Sequence, residues 1–342
     1  MSRNAPLKES VDEGVRDDLF LDTTLRPASF DEYVGQKTIK ENLKILLGAA
    51  AERGHPPEHL LFYGPPGLGK TTLAHLIAKE IGRAIKITSG PVIEKVGDIA
   101  SIITNLTPGD ILFIDEIHRL NKTVEEVLYP AVESGVLNII LGKGPSARTI
   151  ELALPPFTLV AATTRIALIS SPLRSRFSGG VFRLEYYNEE EIGQIILRSA
   201  KILKVPVNKE AVKEIAGRSR FTPRTANYLL KRCRDFAQMN KKLLDMETVR
   251  AALALLGVDE KGLTLSDRKI LDALAQKFGG GPVGLGTIAA SLSEEEATVE
   301  EYNEPYLMQM GFIERTPRGR MITARGYEHL GLKTPQGQRK LL

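Results

Sequence analysis

The run Gly64-Pro65-Pro66-Gly67-Leu68-Gly69-Lys70-Thr71 fits the pattern G-x-x-x-x-G-K-[ST] at every fixed position. Glycines at these spacings let backbone N–H groups close around a polyphosphate. A helix opening at the end of the loop adds the partial positive charge of its N-terminus. Lys70 would reach the outer phosphates from an exposed position, and the Thr71 hydroxyl would ligate Mg²⁺. Gly67, Leu68, Gly69 and Thr72 would complete the surface that meets the nucleotide.

Roughly forty-five residues further on, Ile111-Leu112-Phe113-Ile114 is an apolar run that ends in Asp115 and Glu116. Asp115 would hold Mg²⁺, partly through water, and Glu116 would orient and polarise an attacking water. Thr163-Thr164-Arg165 closes another apolar run, where a polar residue would touch the γ-phosphate or that water. Arg174 and Arg176, within Pro172–Phe177, have the planar fork that suits charge developing on phosphate oxygens. Arg224 opens a helix, where the dipole disfavours a cation, and that misfit points to a ligand role. The histidines are not spaced as a metal site, and His118 reads as structural.

These residues need a scaffold. Strand candidates at 59–63, 84–88, 110–115, 157–163 and 181–186 alternate with helical stretches, including Thr72–Ile81 after the loop. That order predicts parallel strands with crossovers. Such a sheet puts strand-end residues along its carboxyl edge, where ligand crevices form. Val136–Leu141 and Arg148–Leu152 flank a Gly/Pro-rich turn and read as an inserted hairpin. Four helices follow: Glu189–Leu203, Lys209–Gly217, Pro223–Met239 and Met246–Leu256, with Asn188, Asn208 and Thr222 as N-caps. Then come helices Ser266–Phe278, Thr287–Leu292 and Ser293–Met310, the last with a Ser293/Glu296 capping box, and a hairpin over 312–323 with a basic turn. Three helices plus a hairpin is a winged helix-turn-helix order. The division is thus a mobile segment at 1–24, an α/β domain at 25–187 with its hairpin at about 136–154, a helical domain at 188–258, and a winged-helix domain at 259–342.

Composition sets the class. The chain has 342 residues, 42% hydrophobic and 26% charged, as in an ordinary globular protein. No apolar run is long enough to span a bilayer and no apolar signal core follows the first residues, so a cytoplasmic location is expected. The lone cysteine, Cys233, excludes an internal disulfide and reads as an inert buried thiol. Net charge is only +4, but acids gather in the first thirty residues and bases in the last thirty, including Arg315, Arg318, Arg320, Arg339 and Lys340. That asymmetry hints at a polyanion partner for the C-terminal end.

Together these motifs resemble the RuvB family of AAA+ ATPases. The resemblance rests on Arg26-Pro27…Tyr33-Val34-Gly35-Gln36, Gly64–Thr72, Phe113–Leu120, Thr163–Arg165, Pro172–Phe177, Thr222–Arg224, Gly280–Leu285 and Arg315–Met321. It implies an ATP-driven, Mg²⁺-dependent DNA translocase that works as a homohexameric ring in branch migration of Holliday junctions. It also implies roles that spacing does not give. Leu25 and Arg26 would sit at the adenine edge with Tyr187 nearby. Thr164 would sense the γ-phosphate, Arg176 would reach a neighbouring subunit's ATP, and Arg224 would serve as the second sensor. The hairpin at 137–152 would dock on a RuvA-type junction-binding partner, and a RuvC-type resolvase is a further expected partner. Arg315, Arg318 and Arg320 would contact DNA backbone, with no acidic partner evident beyond Glu314. Two departures stand out. Ser178-Gly179-Gly180 is one residue longer than the usual loop, which blurs the register of Tyr186 against Tyr187, and Glu296 stands where relatives can carry a basic DNA contact. A clamp loader and a nucleotide-sensing DNA-binding regulator without sustained turnover are the competing readings.

Overall fold

A computed structural model describes residues 23–141 and 148–335. The readings made on residues 1–22, on the hairpin tip at 142–147 and on the tail with Arg339 and Lys340 lie outside that range.

The chain divides into two compact units. One runs to Ile195 and includes Thr222–Arg224; the other holds Ile196–Phe221 and the chain from Thr225 onward.

The first unit is built on a five-stranded sheet in the order β2-β3-β6-β1-β7. Its strands are β1 (Leu60–Tyr63), β2 (Ile85–Ser89), β3 (Ile111–Asp115), β6 (Thr158–Thr163) and β7 (Gly180–Arg183). Every pairing in it is parallel, with Tyr63 opposite Thr163 and Ser89 opposite Asp115. The central strands β1, β3 and β6 are apolar almost throughout and buried, as strands covered by helices on both faces must be. Those helices are α1 (Lys37–Arg53), α2 (Lys70–Glu80), α3 (Val96–Thr104) and α4 (Lys122–Glu133). Ile99, Ile103, Val124 and Leu128 pack with Leu112, Ile114, Leu159 and Ala161 in one core. The inserted hairpin forms as read, β4 (Val136–Leu141) against β5 (Arg148–Ala153), antiparallel.

Two local readings change. The strand read to residue 186 ends at Arg183, because the Gln36 side chain takes over the hydrogen bonds of Glu185: its Nε2 donates to the Glu185 carbonyl at 2.7 Å. Tyr186 and Tyr187 therefore lie beyond the strand. Helix α2 begins at Lys70 rather than Thr72, because Gly69 adopts the left-handed conformation that turns the loop straight into the first helical turn.

The second unit takes in the end of α6 (Glu189–Ile202), α7 (Lys209–Gly217), most of α8 (Pro223–Met239), α9 (Met246–Leu255), α10 (Leu265–Asp272), α11 (Leu285–Leu292) and the hairpin β8–β9 (Ile313–Thr316, Gly319–Ile322). Cys233 is buried and burial pushes its thiol up to about 12, so it stays protonated. Arg220 joins the helical and winged parts. Its buried guanidinium lies 3.4 Å from the buried Asp267 carboxylate and between the rings of Tyr302 and Tyr306, 4.9 and 4.5 Å from their centroids. Asp267 also forms a capping box with Thr264 at the start of α10, a start the sequence reading missed. The Ser293/Glu296 box does not form. Ser293 closes α11 at φ 58°, and the next helix opens from Glu295 with no side-chain cap. An N-cap needs extended backbone, which a residue held left-handed cannot supply.

Candidate functional site

In the observed strand order β6 lies between β3 and β1, so three strand ends meet at the carboxyl edge: Tyr63-Gly64, Asp115-Glu116 and Thr163-Thr164. The Gly64 amide donates to the Thr163 carbonyl at 3.3 Å, which ties the loop to the central strand. Within the loop, Gly67 and Gly69 have φ of 81° and 99°, conformations that side chains rarely adopt. A Cβ on Gly69 would also meet the Tyr33 hydroxyl at 2.9 Å. Leu68 is buried, and its carbonyl lies 3.3 Å from the Tyr33 hydroxyl and 3.2 Å from that of Tyr187. The two hydroxyls are 3.1 Å apart. Burial raises both phenols, Tyr187 to about 12, so both remain neutral donors that brace the loop from beneath. Of the two adjacent tyrosines, Tyr187 is the one against the loop.

Lys70 is 7% exposed, which corrects the expectation of an exposed lysine. Its ammonium donates to the carbonyls of Gly64 at 2.8 Å and Pro65 at 2.9 Å, an arrangement that folds the side chain back along the loop. Burial lowers its pKa to about 8, against the pull of the Glu116 and Asp115 carboxylates and with the Arg224 charge acting in the same direction as burial. Thr71 and Thr72 are half-buried in the same helical turn.

Glu116 sits at φ 45°, ψ 48°, a left-handed conformation that costs a non-glycine residue free energy and often marks a functional position. Its Oε2 accepts from the Thr164 amide at 3.2 Å and hydroxyl at 3.1 Å, and lies 3.3 Å from His118 Nδ1. The same His118 nitrogen is 2.9 Å from the Thr163 hydroxyl. His118 thus packs into this cluster, in keeping with its reading as a structural residue after the acidic pair. Asp115 accepts from the Glu116 amide at 3.0 Å, and its second oxygen has no protein partner among the described residues. A carboxylate with a free oxygen suits Mg²⁺, which takes oxygen ligands and keeps several waters.

Two further segments meet α2 and the loop. Leu25 is buried, and Arg26 Nη1 lies 2.7 Å from His75 Nε2 on α2. Burial and the Arg26 charge both lower the His75 pKa, which favours its neutral, accepting form. The Arg224 amide approaches the Gly67 carbonyl at 3.4 Å, and its side chain is exposed.

Arg176 is elsewhere. It follows the short helix α5 (Ser171–Arg174) and lines a groove with Pro57, Glu58, His59, Glu133 and Phe157. Pro57, Glu58 and His59 precede β1 and Phe157 precedes β6, so the groove runs along the amino edge of the sheet. At about 3.3 Å per residue, Gly64 is roughly 16 Å from His59 along β1. Arg176 and the phosphate loop of the same chain therefore occupy opposite edges of one sheet.

The wing arginines separate. Arg318 is exposed and has no acidic partner among the described residues. Arg315 is half exposed and donates to Glu300 at 2.9 Å. Arg320 is buried and its Nε and Nη2 both donate to Glu304 Oε2, at 3.1 and 2.8 Å, which removes it from the set of candidate DNA contacts. The expectation that these arginines lack acids was wrong for Arg315 and Arg320, because both partners come from the preceding helical run rather than from the hairpin.

No described helix is long and apolar enough to cross a membrane. Among the described residues no cluster of three or more His, Cys, Asp or Glu could hold a metal by itself.

Comparison with known proteins agrees with this architecture. Three family models match in series: the Holliday junction DNA helicase RuvB P-loop domain at residues 25–184, the RuvB AAA lid domain at 187–259, and the RuvB C-terminal winged helix domain at 260–331. The RuvB subunit of the Holliday junction branch migration complex from Dehalococcoides mccartyi is 55% identical over 93% of this chain and 91% of its own length. The solved Thermotoga maritima RuvB branch migration motor superposes with a TM-score of 0.83 at 47% identity, covering 91% of this chain and all of its own. A single-residue variant of that protein gives 0.84. The chain belongs to the RuvB family, as an ATP-binding AAA+ ATPase homologous to the motor of Holliday junction branch migration.

Proposed function

We propose that this chain forms a homohexameric ring on duplex DNA and drives branch migration of Holliday junctions, docked on a RuvA-type partner in the cytoplasm and acting ahead of a RuvC-type resolvase. ATP would sit on the carboxyl edge of the sheet. The amides of Gly67, Leu68 and Gly69, the Lys70 ammonium and the α2 N-terminus would hold its phosphates, with Leu25, Arg26 and Tyr187 on the base side. Thr71 and Asp115 would hold Mg²⁺, which when bound would offset phosphate charge. Glu116 polarises the water that attacks the γ-phosphorus, and Thr164, now hydrogen-bonded to that carboxylate, couples its position to the phosphate. Arg224 reports the nucleotide to the helix that it opens.

The observation that carries this reading is the separation of Arg176 from its own phosphate loop. A guanidinium that stabilises the transition state from the far edge of the sheet can serve only another subunit's nucleotide, which requires self-association. Ile150 and Leu152, exposed at alternate positions of β5, support the hairpin as the docking strand for the junction-binding partner. The match of residues 260–331 to a winged helix speaks against a clamp loader, which would carry a helical collar there.

The test is ATP-dependent strand separation of a synthetic four-way junction with the partner present. Wild-type protein is expected to convert the junction to duplex products, and Glu116→Gln to bind it without conversion. Conversion that proceeds equally without ATP, or in Glu116→Gln, contradicts the proposal.

A further inference from the structure

We infer that Glu133 and Tyr129 are positioning residues for Arg176, holding its guanidinium in the orientation that a neighbouring subunit's phosphate meets. The inference rests on the reading above that Arg176 acts across a subunit boundary, and it adds how the chain aims that side chain.

Glu125, Tyr129 and Glu133 recur every fourth residue along α4, so they form one stripe on its surface. The stripe holds both ends of the segment that carries the arginine. At the start, the Ser170 hydroxyl caps α5 by accepting from the Leu173 amide at 3.3 Å. That hydroxyl lies 2.9 Å from the Tyr129 hydroxyl and also bonds Glu125, to which Tyr129 donates at 2.9 Å. At the end, the Arg176 guanidinium stacks over the Tyr129 ring, 4.8 Å from its centroid. Its Nη1 donates to the Pro172 carbonyl at 2.6 Å and its Nη2 to Glu133 Oε2 at 2.6 Å.

These contacts restrain the group from two sides. The ring lies against it, and the two oxygens each take one N–H of the fork. A guanidinium has five N–H groups; two are taken here and the Nε one is buried, so one on each Nη remains for an incoming anion. The buried Nε has no acceptor, so the group is only partly satisfied by its own chain. Glu133 is 60% exposed in its side chain, and an ion pair so open to water contributes little to fold stability. Its effect is on aim, where small displacements of a transition-state contact are expensive.

The experiment uses two subunit types. Lys70→Ala subunits donate the arginine but cannot hydrolyse, and Arg176→Ala subunits hold ATP but lack the arginine, so only their mixed interfaces turn over. Glu133→Gln, which keeps shape and removes charge, is then added to one type at a time and turnover is read at matched ring assembly. Placed in the donor, it is expected to lower kcat about three- to tenfold with KM for ATP unchanged. Placed in the acceptor, it is expected to leave the mixture at its parent rate, because no arginine there needs aiming. Equal loss in both placements, no loss in the donor, or faster turnover overturns the inference. A parent mixture without activity overturns the trans reading first, and this inference with it.

Discussion

The phosphate-loop edge and the wing each bury one cation, and they satisfy it in opposite ways. Lys70 is bonded only to neutral carbonyls, with the Asp115 and Glu116 carboxylates near enough to pull on its charge but not bonded to it. Arg320 is bonded twice to a buried carboxylate. A buried cation held by dipoles still has a charge to offer an anion, whereas one held by a carboxylate has already been neutralised. Burial alone would rank the two together; the partner separates a ligand-binding cation from a structural one. In the wing, Arg318 is exposed with no acidic partner among the described residues, whereas half-exposed Arg315 donates to Glu300.

The largest effect expected from this contrast is at the loop. Glu116→Gln should retain ATP and lower turnover by about 10² to 10⁴, the usual contribution of a positioned base, read by steady-state hydrolysis alongside nucleotide binding. Lys70→Met should abolish hydrolysis without lowering thermal stability in the absence of nucleotide. The sign follows from the lowered pKa. Between about pH 8 and the ordinary 10.5 the unfolded chain holds more protons at this site, so stability rises with pH across that window, and below it the buried ammonium is a penalty that methionine removes. A clear fall in melting temperature would break the contrast.

Arg320→Met should do the reverse. It strips both hydrogen bonds from the buried Glu304 and leaves it only the 3.5 Å contact with half-exposed Arg315, which costs up to about 3–5 kcal/mol, so the winged-helix region should lose stability in denaturant titrations while basal ATP hydrolysis persists. Arg318→Ala should leave stability alone, weaken duplex binding similarly on all sequences, and reduce the salt slope by about 0.9, the value for one lost phosphate contact. If Arg320 substitutions changed the salt slope and Arg318 substitutions did not, the ranking by partner would be wrong. The smallest effect is in pH. Affinity for ATP should decline as pH rises through about 8, where Lys70 loses its proton, and the decline should be absent in Lys70→Arg, whose guanidinium stays charged.

The loop and sheet were legible because their signals are local. Eight contiguous residues specify the loop, and apolar strands ending in Asp115 and Thr163 specify the edge that faces it. What stayed hidden depends on residues distant in sequence. The Arg320 partner lies sixteen residues upstream on a helix, and nothing in the hairpin signals it. The choice of Tyr187 over Tyr186 follows from the Gln36 side chain ending a strand 149 residues away. Ser293 and Glu296 satisfy a capping pattern in sequence, but the left-handed close of α11 uses Ser293 first. The burial of Lys70 depends on how the loop folds over it, which composition does not reveal.

Under the proposed function each subunit holds its phosphate loop and its transition-state arginine on opposite edges of one sheet, and completes neither site alone. Mixing Lys70→Ala with Arg176→Ala subunits across a full range of ratios tests it most directly. Each variant alone should be inactive, Arg176→Ala by roughly 10³ or more, and ATP turnover should appear in the mixtures with a maximum at intermediate ratio. Mixtures that stay as inactive as their components at every ratio would contradict the account.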